Sequence, residues 1–562
     1  MTQDSYSAHK ATLEMALAAI RARTFWSAYS DRPIPSVYGE DALAHAAPRF
    51  KARLNQPFPI DQPNEAGEWV GAERSPYGFP LGILYPKSEP EELIAGARKA
   101  MSAWPSAHPE ERAETLIEAI TRINRESADL AHALMHTTGQ SLTMAFRAGG
   151  PNAQDRALEA VAYAYDAMMA VPQQPVLWER PQGGNPPVRL RKHFHVVPRG
   201  IALIIGCSTF PTWNAYPGIF ASLATGNAVI VKPHPNAILP LAISVAVLRE
   251  TLRDAGFDPN LITLAADTPD APVTKRLALD PHVRLIDFAG SPEFGGWLED
   301  NARQAQVYTE KAGINAVVVD DFDDIEGMAE NLAFSFSLYS GQMGTTPQNI
   351  FIPEAGIAAG GRGLSFEEVA SRIAAAVEAL LVEPAEAVEI LGAIRTEVTL
   401  RRIEEARQCG EVVLQSHTIQ HPQYPGAEIR TPLIVKLKGG DDPAYLREFF
   451  GPVVFLIPTR DTADSLARME ASITDHGGLA VGLYSQDRDV IEQCEAAALR
   501  AGVNLSVNLV GNIYLNQSTA FSDYHGSGAN AASNAVLIDH AFVADRFRVV
   551  QSRFLAPPRA AE

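Results

Sequence analysis

"IALIIGCSTFP" (201–211) joins five consecutive apolar residues, Ile201 to Ile205, to a glycine, a cysteine and two small hydroxyl side chains. A short run that is apolar throughout is the pattern of a strand buried on both faces of a parallel sheet. Downstream, "AVIVK" (228–232) repeats it. A helix follows with Leu241, Val245, Leu248 and Leu252 on one face, closing at Gly256, a good left-handed cap. "LITLA" (261–265), "VRLIDF" (283–288) and "AVVVDD" (316–321) supply further strands. The alternation predicts a doubly wound α/β sheet, a common nucleotide-binding architecture. A second α/β series spans residues 328–510.

Upstream, residues 8–24, 107–135 and 152–169 carry helical apolar spacing, and the Gly- and Pro-punctuated 69–86 stretch suits short strands. "VLWERPQGGNPPVRLRKHFHVV" (176–197) predicts a long hairpin, and "DRFRVVQSRF" (545–554) alternates as an exposed or pairing strand does. There is no internal repeat or low-complexity tract.

The 562-residue chain is long enough for three or four domains at ~150 residues each. Its formal charge of −19 argues against a nucleic-acid partner, which needs clustered Lys and Arg. Small anionic ligands need only a local site. Three scattered cysteines, Cys207, Cys409 and Cys494, disfavour a disulfide framework or zinc knuckle and suit a reducing compartment. "MTQDSYSAHK" lacks the shape of a signal peptide, and no apolar run reaches the ~18 residues of a membrane span. The expectation is a soluble cytoplasmic protein without metal or membrane partner.

Chemistry gathers in six short stretches: "GCSTFP" (206–211), "VKPHP" (231–235), "FAGSPEFG" (288–295), "TEKAG" (309–313), "SGQMG" (340–344) and "EFFGPV" (448–453). Each alone is a weak signal. In this order and spacing they resemble the aldehyde dehydrogenase superfamily over residues 70–555. The most specific interval, Glu310 to Gly344, is 344 − 310 = 34 residues; it matches that superfamily's spacing between general base and nucleophile. "GCSTFPTWN", "KPHP", "SGQM" with "TTPQN", and "FSDYHGSGAN" (521–530) look most like its PaaN-type, phenylacetate-degradation branch.

The resemblance implies a covalent route in which a thiolate adds to the aldehyde, hydride leaves, and water hydrolyses the thioester. It assigns the general base to Glu310, which in isolation reads as a surface glutamate at a strand edge. The nucleophile position falls on Gly344. Thr209 stands where much of the superfamily places an oxyanion-binding asparagine, with Asn214 as the lesser candidate. Cys207 reads as a small buried residue rather than a relocated nucleophile. Lys232 matches the lysine on the adenosine ribose, while Pro235 occupies the position of a ribose-binding glutamate. Loss of that carboxylate leaves NADP as well as NAD open. His234 reads equally as a donor and as an exposed histidine. Ser208, Gly290 and Ser291 fall to the cofactor, the last two opening a helix whose N–H groups suit the pyrophosphate. Glu448 and Phe450 match residues at the nicotinamide ribose.

Without a thiol at 344 the covalent route closes, and the chain is expected to be inactive or nearly so while still binding cofactor. The intact surroundings favour one change in an active parent over drift. The implied substrate is an aldehyde, with a ring-opened CoA-thioester semialdehyde as the branch suggests. The alternatives are a non-catalytic NADP-binding or assembly subunit and a CoA-acylating enzyme, the latter disfavoured by Glu310. Arg189, Arg191 and Lys192 are weak candidates for CoA phosphates. The resemblance further implies an α/β, Rossmann-type NAD(P)-binding domain (71–175, 198–312), an α/β catalytic domain (313–515) and a β oligomerisation arm (176–197, 516–562). The arm would make a homodimer or homotetramer. A helical extension (1–70) would pack on the cofactor domain or cover its entrance.

Overall fold

The computed structural model describes residues 3–183, 185–311, 313–439 and 443–557. The opening stretch is the central strand of a five-stranded parallel sheet. Its order is Ile262–Leu264, Ala228–Lys232, Ile201–Ile205, Val283–Gly290, Gln306–Lys311. Ile201–Ile205 and Ala228–Lys232 are buried at every position, as their unbroken apolar runs require. The chain steps outward from Ile201–Ile205 on one side, then returns to place Val283–Gly290 on the other. A crevice therefore opens beyond the carboxyl ends of those two strands, where ligands bind in open α/β sheets.

"AVVVDD" does not continue this sheet. Its strand, Asn315–Val319, lies in a seven-stranded sheet ordered Glu411–Leu414, Leu433–Lys436, Val453–Thr459, Pro347–Pro353, Asn315–Val319, Ala480–Tyr484, Asn504–Val507. The fifth strand of the first sheet is instead "QVYTEK", an edge strand whose polar residues hide it from a hydrophobicity reading. The expected 107–135 helix is two, Pro109–Arg125 and Ser127–Thr138, because Glu126 leaves helical geometry at ψ 7°. One apolar core runs beneath both sheets, and a second lies on the other face of the seven-stranded one.

Val176–Gln182, Asn185–Pro198 and Phe547–Leu555 form a separate antiparallel sheet with Asn185–Pro198 in the middle. Residues 558–562, the end of the expected arm, lie outside the described residues. The buried Arg546 guanidinium grips both Asp287 carboxylate oxygens at 2.6 and 2.9 Å, so the arm's last strand springs from a fixed point on the parallel sheet. At the other end, Gln3–Ala22 and Glu40–Arg53 pack on the helical layer. Arg53 reaches the buried Asp129 at 3.0 Å, and Arg23 donates to the Tyr163 hydroxyl at 2.8 Å. Among the described residues no helix is long and apolar enough to cross a membrane.

Candidate active site

Two cavities, of about 640 and 440 Å³, meet beside the crevice. Four residues line both: Thr209, Asn214, Glu310 and Gly344. Ser208, Lys232, His234, Gly290, Ser291, Glu448 and Phe450 line the smaller one. All eleven of these residues, each singled out in the sequence, thus face one connected space, although they come from both sheets.

The loop before Pro347–Pro353 is bent sharply. Tyr339, Ser340 and Gly341 take φ of 53°, 49° and 63°. Gly341 is obligatory there, since a Cβ would sit 2.3 Å from the Gly451 carbonyl oxygen. Gln342 locks the bend, accepting from Arg395 N at 2.8 Å and donating to the Ala393 carbonyl at 3.1 Å. The buried Asn315 then pins the other limb, donating to the Gly344 carbonyl at 2.7 Å and the Thr346 carbonyl at 3.1 Å. Gly344 itself has no such need. Its φ is ordinary, and a Cβ would meet only Leu479 Cδ1 at 3.5 Å and Glu310 Oε1 at 4.0 Å. The loop presents a position that any small side chain can occupy, aimed at the Glu310 carboxylate.

Glu310 is the penultimate residue of the edge strand Gln306–Lys311. Its Oε2 lies 2.9 Å from His525 Nε2, with both side chains largely buried. His525 Nδ1 contacts the Ser518 hydroxyl at 3.0 Å, and Trp213 packs edge-on against the ring at 4.7 Å. His525 was missed in the sequence as a functional residue. Its only signal is that it opens the glycine-rich part of "FSDYHGSGAN", and 215 positions separate it from Glu310.

Cys207 gathers the donors of this corner. Its sulfur accepts from the Phe210 N–H and the Asn214 amide, each at 3.3 Å, and the Thr209 hydroxyl lies 4.0 Å away. Burial pushes the Cys207 thiol pKa up, so it stays protonated and holds Asn214 in place.

In the cleft, Lys232 Nζ is buried 2.7 Å from Asp267 Oδ1 and donates to the Pro233 carbonyl at 2.6 Å. Burial lowers the lysine pKa and the Asp267 charge opposes that. Asp267 lies behind the lysine and does not line the cleft, so the pair presents the Lys232 end to it. His234 is not an exposed histidine. Burial, then Arg395 and Lys232, hold its pKa down at about 4. Its Nδ1 accepts from Asn236 N at 3.2 Å, which leaves the proton on Nε2. Ser291 caps Pro292–Asn301, accepting from Phe294 N at 3.3 Å. Glu448 is pushed up to about 8 by desolvation, against the pull of Arg402, and is protonated at neutral pH. Phe450 holds φ of 26°, a strained value for a non-glycine residue in a site. A switch-point crevice, a buried amine and a capped helix start fit a dinucleotide.

Comparison with known proteins agrees with this geometry. Residues 85–542 match the model of the aldehyde dehydrogenase family. A crystal structure of an NAD-dependent aldehyde dehydrogenase from Burkholderia multivorans superposes with a TM-score of 0.96 at 52% identity, covering 100% of both chains. Betaine aldehyde dehydrogenase 2 of Rhizobium meliloti is 26% identical over 459 residues, 80% of this chain and 87% of that protein. A 1-pyrroline-5-carboxylate dehydrogenase from Thermus with bound NAD shares the fold at 20% identity and a TM-score of 0.74, over 95% of this chain and 99% of that one. With the family model spanning both sheets and every loop of the shared corner, the chain belongs to the aldehyde dehydrogenase family.

Proposed function

We propose that this chain is an NAD(P)-binding aldehyde dehydrogenase frame without its nucleophile, Gly344 standing where a cysteine would attack the aldehyde. The observation that carries the reading is the shared corner: Glu310 Oε1 lies 4.0 Å from the point where a Cβ on residue 344 would sit, on the wall common to both cavities.

A bound nicotinamide cofactor supplies the hydride acceptor. Lys232, with Asp267 beside it, would hold the adenosine ribose, Ser208, Gly290, Ser291 and their helix the pyrophosphate, and Glu448 and Phe450 the second ribose. His234 Nε2–H is a further donor in the same cleft. A protonated Glu448 both donates and accepts there. Pro235 removes one carboxylate from the adenosine corner, which by itself admits either cofactor; the 52% identical NAD-dependent relative from Burkholderia multivorans favours NAD. Thr209 and Asn214 face the oxyanion side of the corner. In a chain with a thiol at 344, Glu310 takes the proton of the water that hydrolyses the thioester. Oε2 faces His525, and Oε1 is the oxygen on the residue-344 side.

As the chain stands, nothing replaces the thiol. Met343 offers a thioether, and the Thr345 hydroxyl is 3.2 Å from the Tyr514 hydroxyl, itself pushed up to about 12 and no base at neutral pH. Only an aldehyde hydrate deprotonated by Glu310 offers residual turnover. The substrate this reading favours is the ring-opened CoA-thioester semialdehyde of aerobic phenylacetate breakdown, supported by the branch-like stretches and by a larger cavity suited to an uncharged chain. Arg189, Arg191 and Lys192 belong to the separate antiparallel sheet and line neither cavity. Any CoA phosphates would therefore stay outside.

The test is Gly344→Cys. The variant should oxidise propanal with NAD at least ~10³-fold faster than the unaltered chain, the scale of a lost covalent step, and release free acid. No gain in turnover, or acyl-CoA as the product when CoA is supplied, would sink the reading. Titration of the unaltered chain with NADH and NADPH should show binding without turnover, NADH the tighter.

A further inference from the structure

The larger cavity is walled in part by residues outside the family's matched region. Phe25, Ser27, Ala28, Tyr29, Ser30 and Asp31 line it, together with the corner residues. This strap is fastened at several points. The Ser27 hydroxyl and Ala28 N–H donate to the two oxygens of the buried Asp155, at 2.5 and 3.0 Å. Trp26 packs edge-on against Phe521 at 4.8 Å, and the Arg23 guanidinium stacks 3.8 Å over the Tyr524 ring. Phe521 and Tyr524 flank the loop that delivers His525 to Glu310. The strap therefore borders the space an aldehyde must enter and braces the catalytic base.

The chemistry of that space is one-sided. Asp31, Asp155 and Glu310 line it, with the rings of Phe25, Tyr29 and Trp213 and several hydroxyl and amide groups. Among the described residues no lysine or arginine does. Behind the wall, Arg23 and Arg156 both lie within 3.4 Å of the Glu159 carboxylate, and Arg156 stands 5.2 Å behind the Trp213 ring, so neither lines the cavity. A ligand carboxylate would enter this cavity with no cation to pair it and would face like charge, whereas an uncharged chain would meet rings and hydrogen-bonding groups.

We propose that residues 25–31 are the specificity wall of this site, completing the cavity and selecting aldehydes whose entering chain is uncharged against those that end in a carboxylate. The proposal rests on the reading of the larger cavity as the aldehyde's side of the corner. Burial, partly offset by the Ser27 and Ala28 bonds, pushes Asp155 up to about 7, so the wall gains charge as pH rises through neutrality.

The chain with Gly344 suits the test because, on the proposed reading, it should bind aldehydes without consuming them. Trp213 lines the cavity and reports occupancy by fluorescence. At pH 8, 6-hydroxyhexanal should bind at least ~10-fold more tightly than 6-oxohexanoate, the order expected for one unpaired like-charge contact. The ratio should shrink at pH 6. Asp31→Lys should reverse the preference or cancel it, and Trp26→Ala, which loosens the strap, should erase selectivity at an unchanged folded CD spectrum. Equal affinities for the two aldehydes, failure of 6-hydroxyhexanal to bind at millimolar concentration, or a ratio untouched by Asp31→Lys would overturn the proposal. Should Gly344→Cys stay inert toward propanal while the ratio and its reversal are observed, the dehydrogenase reading fails and the wall stands; the opposite pair of outcomes rejects the wall alone.

Discussion

Gly341 and Gly344 lie three positions apart in one loop and exist for different reasons. Gly341 is required by backbone: its φ is 63° and the Gly451 carbonyl fills the space where a Cβ would go. Gly344 has an ordinary φ and open room. Gly341→Ala should therefore destabilise the fold by on the order of 1–3 kcal/mol or more, from strain and collision. Gly344→Ala should fall within about 0.5 kcal/mol of the unaltered chain. Denaturant unfolding of the two variants measures this, and a costly Gly344→Ala would mean that glycine is structural at 344. The same contrast explains why a thiol fits at 344 without rebuilding the loop. The sequence shows two similar glycines, and only the carbonyl opposite one of them separates their roles.

At the scale of elements, the two cavities are lined by two carboxyl groups, the buried Asp155 and the half-buried Glu448, whose pKa values lie far from their usual range. Asp155, on Pro151–Met169, is raised from 3.8 to about 7, and Glu448 from 4.5 to about 8, each chiefly by desolvation. A raised acid binds its proton more tightly in the folded chain than in the unfolded one. Its contribution to stability is complete below the unfolded pKa and is lost as pH climbs toward the folded value. Stability should thus fall between pH 4 and 7 through Asp155, with a slope approaching about 1.4 kcal/mol per pH unit from that group alone. Asp155→Asn should flatten this part of the profile. Unfolding midpoints across pH 4–8 for the two chains check the expectation, and parallel profiles would contradict it. Helix and strand types were legible element by element wherever apolar spacing was regular. "QVYTEK" escaped because an edge strand needs no alternating or continuous apolar pattern, and the break at Glu126 escaped because nothing in "NRESAD" forces it.

For the whole molecule, the antiparallel sheet of Val176–Gln182, Asn185–Pro198 and Phe547–Leu555 stands apart from both cores. Phe554 and Leu555 are 56% and 82% exposed, beside an exposed Val549 and Val550. Apolar side chains grouped on a strand with a free edge mark a surface for another chain. We expect a homodimer or homotetramer through this sheet. Val550→Asp with Phe554→Asp should shift the mass found by light scattering to that of a monomer, without loss of secondary structure. A monomeric unaltered chain would refute the expectation.

The sequence by itself determined four of the five strands of the parallel sheet, the family and the short stretches that line the corner, because buried runs, glycine turns and the 34-residue interval between Glu310 and Gly344 are local or simply spaced signals. It also singled out Gly344 as the position where the resemblance expects a thiol. Only the tertiary structure brought His525 to Glu310, Asp267 to Lys232 and residues 25–31 to the cavity wall. Those contacts join elements tens to hundreds of positions apart, and each is made of side chains common on any surface. Their meaning comes from burial and from what they face, which no local pattern encodes.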